Sequence, residues 1–432
     1  MFIDRLKDRI AKVPYAVWIG IALFVLIYPA YFSHIMTDKI WKIAWVIVVA
    51  AILFLYAWRR RISGIMILCT LMYAIIFVVT VFKGGNFVTL LRQGGTMVAL
   101  VMLTELCEGC REVFYRTVIA YATLLVLVNF ISIIAFPGGL YYETHIMDGR
   151  LIQEHRFWFL GYKNGAGKYC FFDLILIALY NYRTTTGSMQ KPGAVAEVSR
   201  KRATWLRIFF YDNREWIFFY SVAGISLLST VLIKSAMSMT VILFFTLGTL
   251  LVRPIEKYKP FVFDFRIFCG IAVTACLVIA VFRQWGFLEF FIEKIFHKNA
   301  GTFGGRKIIW ENALMRIGQS PLWGHGYITE DDFRVFLNYH NASDAHNYYF
   351  TLLINGGILS FACFVGVIAK CGYNIIKNKF KPAGIILSGA LFLLLIMMIV
   401  ENTKNGMMWI VLTLAYHMEK KEYSFKKLKI TV

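Results

Sequence analysis

Residues 382–400 read PAGIILSGALFLLLIMMIV, nineteen positions without a single charge. A helix rises about 1.5 Å per residue, so a run of this length covers a hydrocarbon core of about 30 Å. Backbone amides and carbonyls cannot be left unpaired in lipid, which restricts such a chain to helices or a closed barrel. Eleven further apolar runs accompany this one, at approximately 13–33, 40–58, 62–82, 86–104, 114–135, 164–182, 215–233, 236–252, 267–282, 346–369 and 404–419. They are long and rich in Leu, Ile, Val and Phe, and they lack the alternation that barrel strands require. The expectation is an all-α polytopic integral membrane protein, a single membrane domain over residues 1–432 with about 12 transmembrane helices.

Composition agrees. The chain is 59% hydrophobic, and only 16% of it is charged, against about a quarter in a soluble domain. A net charge of +21 would suggest nucleic acid in a soluble protein, but in a membrane protein the placement of charge matters more. The N-terminus, the Arg59-Arg60-Arg61 turn, the Arg111/Arg116 loop and loop 183–214 fall on one side. The RPIEKYK loop, the Lys377/Lys379/Lys381 loop and the KKEYSFKKLK tail join them. That side carries 29 of the 46 Lys and Arg, against 17 on the other. The positive-inside bias then predicts both termini in the cytoplasm of a multi-pass plasma-membrane protein, with no nucleic-acid partner. The start, MFIDRLKDRIAKVPY, is basic and runs into an apolar stretch without an A-x-A-like cleavage site, so it reads as a retained first span. Most of the eight cysteines lie in apolar runs; Cys107 and Cys110 form one CxxC with no second pair, and all eight read as packing residues.

Two segments on the outer side stand out, residues 136–163 and the larger 283–345 between the ninth and tenth spans. Connections usually run about 4–6 residues, so a loop of this size points to function. Neither ATP nor a nucleotide sugar is available there, so any chemistry must use a substrate already activated.

The large loop holds GTFGGRKIIWENALMRIGQSPLWGHGY, residues 301–327. Ile308, Ile309, Trp310, Ala313, Leu314 and Ile317 make a helical stripe closed by Pro321, a short amphipathic helix at the membrane surface or against the bundle. Gly304 and Gly305 place Arg306 at its start, where a guanidinium and a helix N-terminus together favour a phosphate or diphosphate. A surface helix with a snorkelling arginine is the competing reading. In EHRFWFLGYKNGAGKYCFF, Arg156, Lys163 and Lys168 surround Asn164, an anion site or a headgroup contact. Lys234, Ser235 and Ser238 mark another outer boundary in IKSAMSMT. Arg92 lies a turn or two inside the fourth span, where a charge is costly, and either snorkels outward or pairs with Glu401 of VENTKNG.

The stretch NYHNASDAHNYYFTLLINGG holds His340 and His346 where polar sequence turns apolar. His346 opens the tenth span, and the positive end of a helix disfavours imidazolium, which suits a general base for a sugar hydroxyl. Asn347 beside it can bond a substrate hydroxyl, while His340 is a loop residue on the acceptor side. Gly356 and Gly357 allow close helix packing or a bend. An ordinary interfacial histidine is the alternative for His346.

Three stretches in order, FLGYKNGAG, GGRKIIWENALMRIGQSPLWGHGY and HNYYFTLLINGG, resemble the O-antigen ligase and O-antigen/capsule polymerase (Wzy-type) membrane proteins. The resemblance covers about residues 156–360; the first four spans carry no matching motif, and KSAMSMT lacks the arginine that members often show after a serine. It implies a GT-C-like helical glycosyltransferase that uses a polyprenyl-diphosphate-linked oligosaccharide as donor and needs no cofactor or metal. It also implies a bacterial plasma (inner) membrane setting, inversion at the anomeric carbon, and a chain-length regulator and a flippase as candidate partners beside the lipid bilayer. By residue, the resemblance and the loop chemistry make His346 the expected base and assign the diphosphate to Arg306, Arg156, Lys163, Lys234 and Arg92. Asn347, Asn164, His340 and Glu401 are assigned to the acceptor. A repeat-unit polymerase for capsule, exopolysaccharide or O-antigen is the first reading. A ligase moving glycan to another acceptor is the second, and a lipid-linked glycan flippase the third.

Overall fold

The computed structural model describes residues 14–36, 38–59, 62–147, 150–187, 214–259, 264–282, 301–339 and 342–418. Most of these residues are helical. Six helical stretches among the described residues are long and apolar enough to cross a membrane: Lys39–Trp58, Gly64–Phe82, Phe87–Ala135, Arg214–Leu232, Tyr348–Lys377 and Pro382–Val400. Four more apolar helices are shorter, Tyr15–Leu26, Ala236–Leu250, Phe265–Val281 and Gly406–Tyr416. Length and composition thus support six crossing stretches and a multi-pass helical membrane protein, where the sequence suggested twelve apolar spans.

In chain order the helices are α1 (Tyr15–Leu26), α2 (Ala30–Ile35), α3 (Asp38–Trp58), α4 (Gly64–Phe82), α5 (Phe87–Leu106) and α6 (Arg111–Ala135). Then come α7 (Lys163–Gly187), α8 (Arg214–Leu232), α9 (Ala236–Leu250), α10 (Val252–Tyr258) and α11 (Phe265–Cys276). The last are α12 (Gly301–Gln319), α13 (Glu330–Phe336), α14 (Tyr348–Lys377), α15 (Pro382–Val400) and α16 (Gly406–Tyr416). The expectation of an all-α chain needs one correction. Segment 136–163 holds a small antiparallel sheet, β1 (Tyr141–Met147), β2 (Arg150–Trp158) and β3 (Gly161–Tyr162), in the order β1-β2-β3. The aromatic and β-branched residues there alternate too briefly to oppose the helical reading of the whole, yet suffice for a hairpin.

The centre of the bundle is apolar and closely packed. α4 lies along α14, α5 along α16, and α7 against α6, α8 and α15. Trp409, Phe114, Phe172, Phe219 and Phe364 are fully buried among them. A smaller cluster sits under the large loop, where Trp310, Ala313, Phe333, Leu337 and Ala345 meet Phe350 and Ile354 of α14. The predicted amphipathic helix therefore lies against the bundle. Ile309, Trp310 and Ala313 are buried, Ile308 faces out, and the Trp310 indole donates to the Ala345 carbonyl at 2.9 Å.

α14 is broken. Gly357 has φ 62° and ψ −165° inside it, a backbone that only glycine adopts without strain. The strap Pro321–Ile328 fills the break. His325 and Gly326 donate their backbone N–H groups to the carbonyls of Ile354 and Asn355 at 2.6 and 3.0 Å, and Ile358 N–H reaches Pro321 O at 2.8 Å. Backbone groups freed by the break are thus paired again inside protein, as a membrane interior demands. The upper part of α14, residues 348–356, becomes a short half-helix aimed by the strap.

Candidate functional site

That half-helix begins at Asn347, whose Oδ1 accepts the Phe350 N–H at 3.0 Å and so caps the first turn. His346 lies one residue before the cap, with φ 44°, and its backbone N–H donates to Asp344 Oδ1 at 2.5 Å. The ring Nδ1 of His346 is 3.3 Å from the same oxygen. The other carboxylate oxygen, Oδ2, accepts from the Asn402 amide at 3.1 Å. Lys168 donates through Nζ to the Asn402 carbonyl at 2.5 Å.

Glu401, the residue before Asn402, forms a second pole. Its Oε1 accepts from Arg306 Nη2 at 3.0 Å and from Asn164 Nδ2 at 2.8 Å. The carboxylate is 8% exposed and the guanidinium 24%, so the pair is shielded yet open to a ligand on the arginine side. Asn164 Oδ1 accepts from the Ser235 hydroxyl at 3.1 Å, and that hydroxyl is 3.0 Å from Ser238 Oγ. Gly167 lets α7 pass this close to α9, because a methyl group there would overlap the Ser238 hydroxyl.

Lys404, exposed, stands over the Tyr327 ring at 5.6 Å, and Arg92 is near enough for its charge to act on the Tyr327 hydroxyl. Burial alone would raise the Asp344 carboxyl. The charges of His346, Lys404 and Lys168, with the His346 N–H, outweigh it and hold the group below the ordinary carboxylate value. Desolvation of the ammonium, with the like charge of Lys168, lowers the Lys404 value against the pull of Asp344 and Glu330. The chain thus gathers Arg306, Lys168, Lys404 and Arg92 against Glu401, Asp344 and Glu330 at one end of the bundle. Such a set suits a polyvalent anion held beside an imidazole.

Several expectations need correction. The α12 helix begins at Gly301, so Arg306 lies in its second turn and owes nothing to a flexible glycine start. Burial of Ile309 and Trp310 against α14 carries the helix back through both glycines. His346 is held by a carboxylate and precedes the helix cap, rather than opening the helix itself. Asn347 spends its carbonyl oxygen on that cap and is buried. Glu401 pairs with Arg306, while Arg92 is placed beside Tyr327. Arg156 is exposed on β2 opposite Tyr142, and Lys163 stands over the Tyr162 ring at 5.3 Å. Lys234 is exposed at a left-handed turn beside Ser235. The contacts that define the two poles do not run through these three. His340 lies outside the described residues.

Sequence reasoning missed Asp344, Asn402 and Lys404. Aspartate two residues before His346 had the spacing of an Asx-turn, and VENTKNG was a run of polar residues between two apolar helices.

The fold and this cluster define a multi-pass helical membrane protein with a charged, partly buried site at one end. Residues 218–365, about a third of the chain, match the family model described as O-antigen ligase (Wzy_C), the family that the motifs resemble. That stretch holds Arg306, Ser235, Asp344 and His346; Asn164, Lys168 and the 401–405 loop lie outside it. No curated protein and no solved structure matches the chain. Members of this family handle lipid-linked glycans at the membrane as glycosyltransferase-like enzymes.

Proposed function

We propose that this chain is a polymerase that joins polyprenyl-diphosphate-linked oligosaccharide units into a surface polysaccharide, on the outer face of a bacterial plasma membrane with both termini inside. The observation that carries the reading is the spacing of the two poles: Glu401 meets Arg306 and the adjacent Asn402 meets Asp344 beside His346. A diphosphate held at Arg306 would put the anomeric carbon near an imidazole able to take the proton of an acceptor hydroxyl. That hydroxyl oxygen attacks the carbon, the bond to the diphosphate breaks, and the electron pair leaves with the diphosphate. Arg306 stabilises the charge released.

A ligase shares this chemistry and differs only in the acceptor, and the match to the family model does not separate the two. One assay separates the readings. Purified protein is given a synthetic polyprenyl-diphosphate repeat unit, with and without a second acceptor such as a lipid A core. A ladder of lipid-linked products supports the polymerase, and a single transfer to the second acceptor supports the ligase. Translocation without any new glycosidic bond overturns both.

A further inference from the structure

We propose that Asp344 is the positioning residue for His346, fixing the ring with Nδ1 protonated and Nε2 open, and that Asn402 in turn fixes Asp344. The inference rests on the reading of His346 as the base for glycosyl transfer.

An Asx-turn requires only one bond, from the carboxylate to the backbone N–H two residues on, and Asp344 makes it at 2.5 Å. Two further contacts exceed what a turn needs. Nδ1 of the ring approaches the same oxygen at 3.3 Å, and the opposite oxygen takes the Asn402 amide at 3.1 Å. With both oxygens engaged from different elements, the carboxylate cannot rotate away from the ring. A carboxylate accepts hydrogen bonds and donates none, so the nitrogen facing it carries the proton and the distal nitrogen keeps its lone pair.

The backbone supports the same conclusion. A histidine at φ 44° is uncommon, and left-handed backbone outside glycine costs free energy that its surroundings must offset. Here Asp344 on one side and the Asn347 cap on the other hold it. Lys168 anchors the Asn402 carbonyl from α7, so the orientation of the ring depends on three separate elements. Lys404 and Lys168 favour the charged carboxylate, which remains an acceptor.

In the transfer step the acceptor O–H proton passes to Nε2 while its oxygen bonds to the anomeric carbon. The imidazolium formed shares its charge with Asp344 through Nδ1–H, and the bonding electrons depart with the diphosphate.

The test uses the full chain in lipid nanodiscs with the synthetic repeat unit as substrate. Asp344→Asn should lower kcat by about 10²-fold or more, with KM for the donor within about threefold. In a ¹⁵N-histidine spectrum, the signals lost in His346→Gln identify the ring. Those signals should show protonated Nδ1 in the wild type and a mixture of tautomers in Asp344→Asn. Asn402→Ala, which leaves the turn intact, should lower kcat by about tenfold and shift the tautomers the same way. If Asp344→Asn fails to fold, Asn402→Ala alone decides. Wild-type kcat and an unchanged tautomer in these variants, with His346→Ala inactive, would overturn the positioning role alone. Full turnover in His346→Ala would instead overturn the base reading on which it stands.

Discussion

Arg306 and Glu401 meet at 3.0 Å although 95 residues separate them, and Asn164 joins the same carboxylate oxygen from a third helix. The pair therefore fixes α12, α7 and the loop after α15 at one point. If Arg306 holds the diphosphate as proposed, Arg306→Ala should lower transfer by about 10²-fold or more, because the released diphosphate loses its guanidinium. Arg306→Lys should recover little, since an ammonium cannot engage a carboxylate and a diphosphate in the planar geometry of a guanidinium. Glu401→Gln, which keeps an oxygen for Asn164 and Arg306, should be milder than Glu401→Ala. Product formation against donor concentration, beside a thermal melt of each variant, measures both.

The break in α14 predicts a stability defect distinct from any loss of chemistry. Gly357 is left-handed, and a methyl group there would run into the Leu322 carbonyl of the strap. Gly357→Ala should cost about 2 kcal/mol or more, from backbone strain and from the strap bonds that must lengthen. It should also release the half-helix that carries Asn347 and, with it, His346. A thermal melt in detergent that matches wild type would contradict this account of the joint.

Much of this arrangement was legible in the sequence and some of it was not, for physical reasons. Trp310 and Ala313 announced a buried helical face because periodicity is a local property. The glycines of PLWGHG and INGG were visible as separate motifs. What periodicity cannot show is that Gly324 packs against the backbone of Gly356 and Gly357, so that the two motifs form one joint. The hairpin of β1 and β2 was passed over because a short alternation in one loop is a weak signal against so many helices. Asp344 and Asn402 escaped because each is an ordinary loop residue until the fold brings them within 3.1 Å. Arg306 and His346 were legible because charge and imidazole are unusual at the edge of apolar sequence.

The charges around Asp344 also predict a pH dependence. Asp344 has a folded-state value held below the ordinary one, first against burial and then through the charges of His346, Lys404 and Lys168. A lowered carboxylate contributes stability above its unfolded value of about 3.9, and the contribution is lost as pH falls through the folded value. Lys404 has the opposite sense. Its lowered value means that the folded state disfavours the ammonium near neutral pH, a cost relieved as pH rises through the folded value. Lys404→Met should therefore raise the Tm slightly at neutral pH. A lower Tm at neutral pH would show that the attraction of Lys404 to Asp344, Glu330 and the Tyr327 ring outweighs its desolvation.

At the far end of the bundle, a second polar knot predicts a defect in stability alone. Glu105 ends α5, whose opposite end carries Arg92, and His417 follows α16, whose opposite end is capped by Asn405. Tyr56 donates its hydroxyl to Glu105 Oε2 at 2.5 Å, and His417 Nε2 meets Oε1 at 2.5 Å. The Arg59 guanidinium donates to the Glu105 carbonyl and also pairs with Glu108 at 3.0 Å. With the carboxylate only 7% exposed, Glu105→Ala leaves a buried phenol and imidazole without their acceptor. The expected loss is about 3 kcal/mol, whereas Glu105→Gln, which keeps one acceptor oxygen, should lose less. Because the knot is a bundle length from Arg306 and His346, the surviving folded fraction of either variant should keep the wild-type KM for the donor. A changed KM with an unchanged Tm would mean that this end of the bundle communicates with the site, and the assignment of a purely structural role to Glu105 would fall.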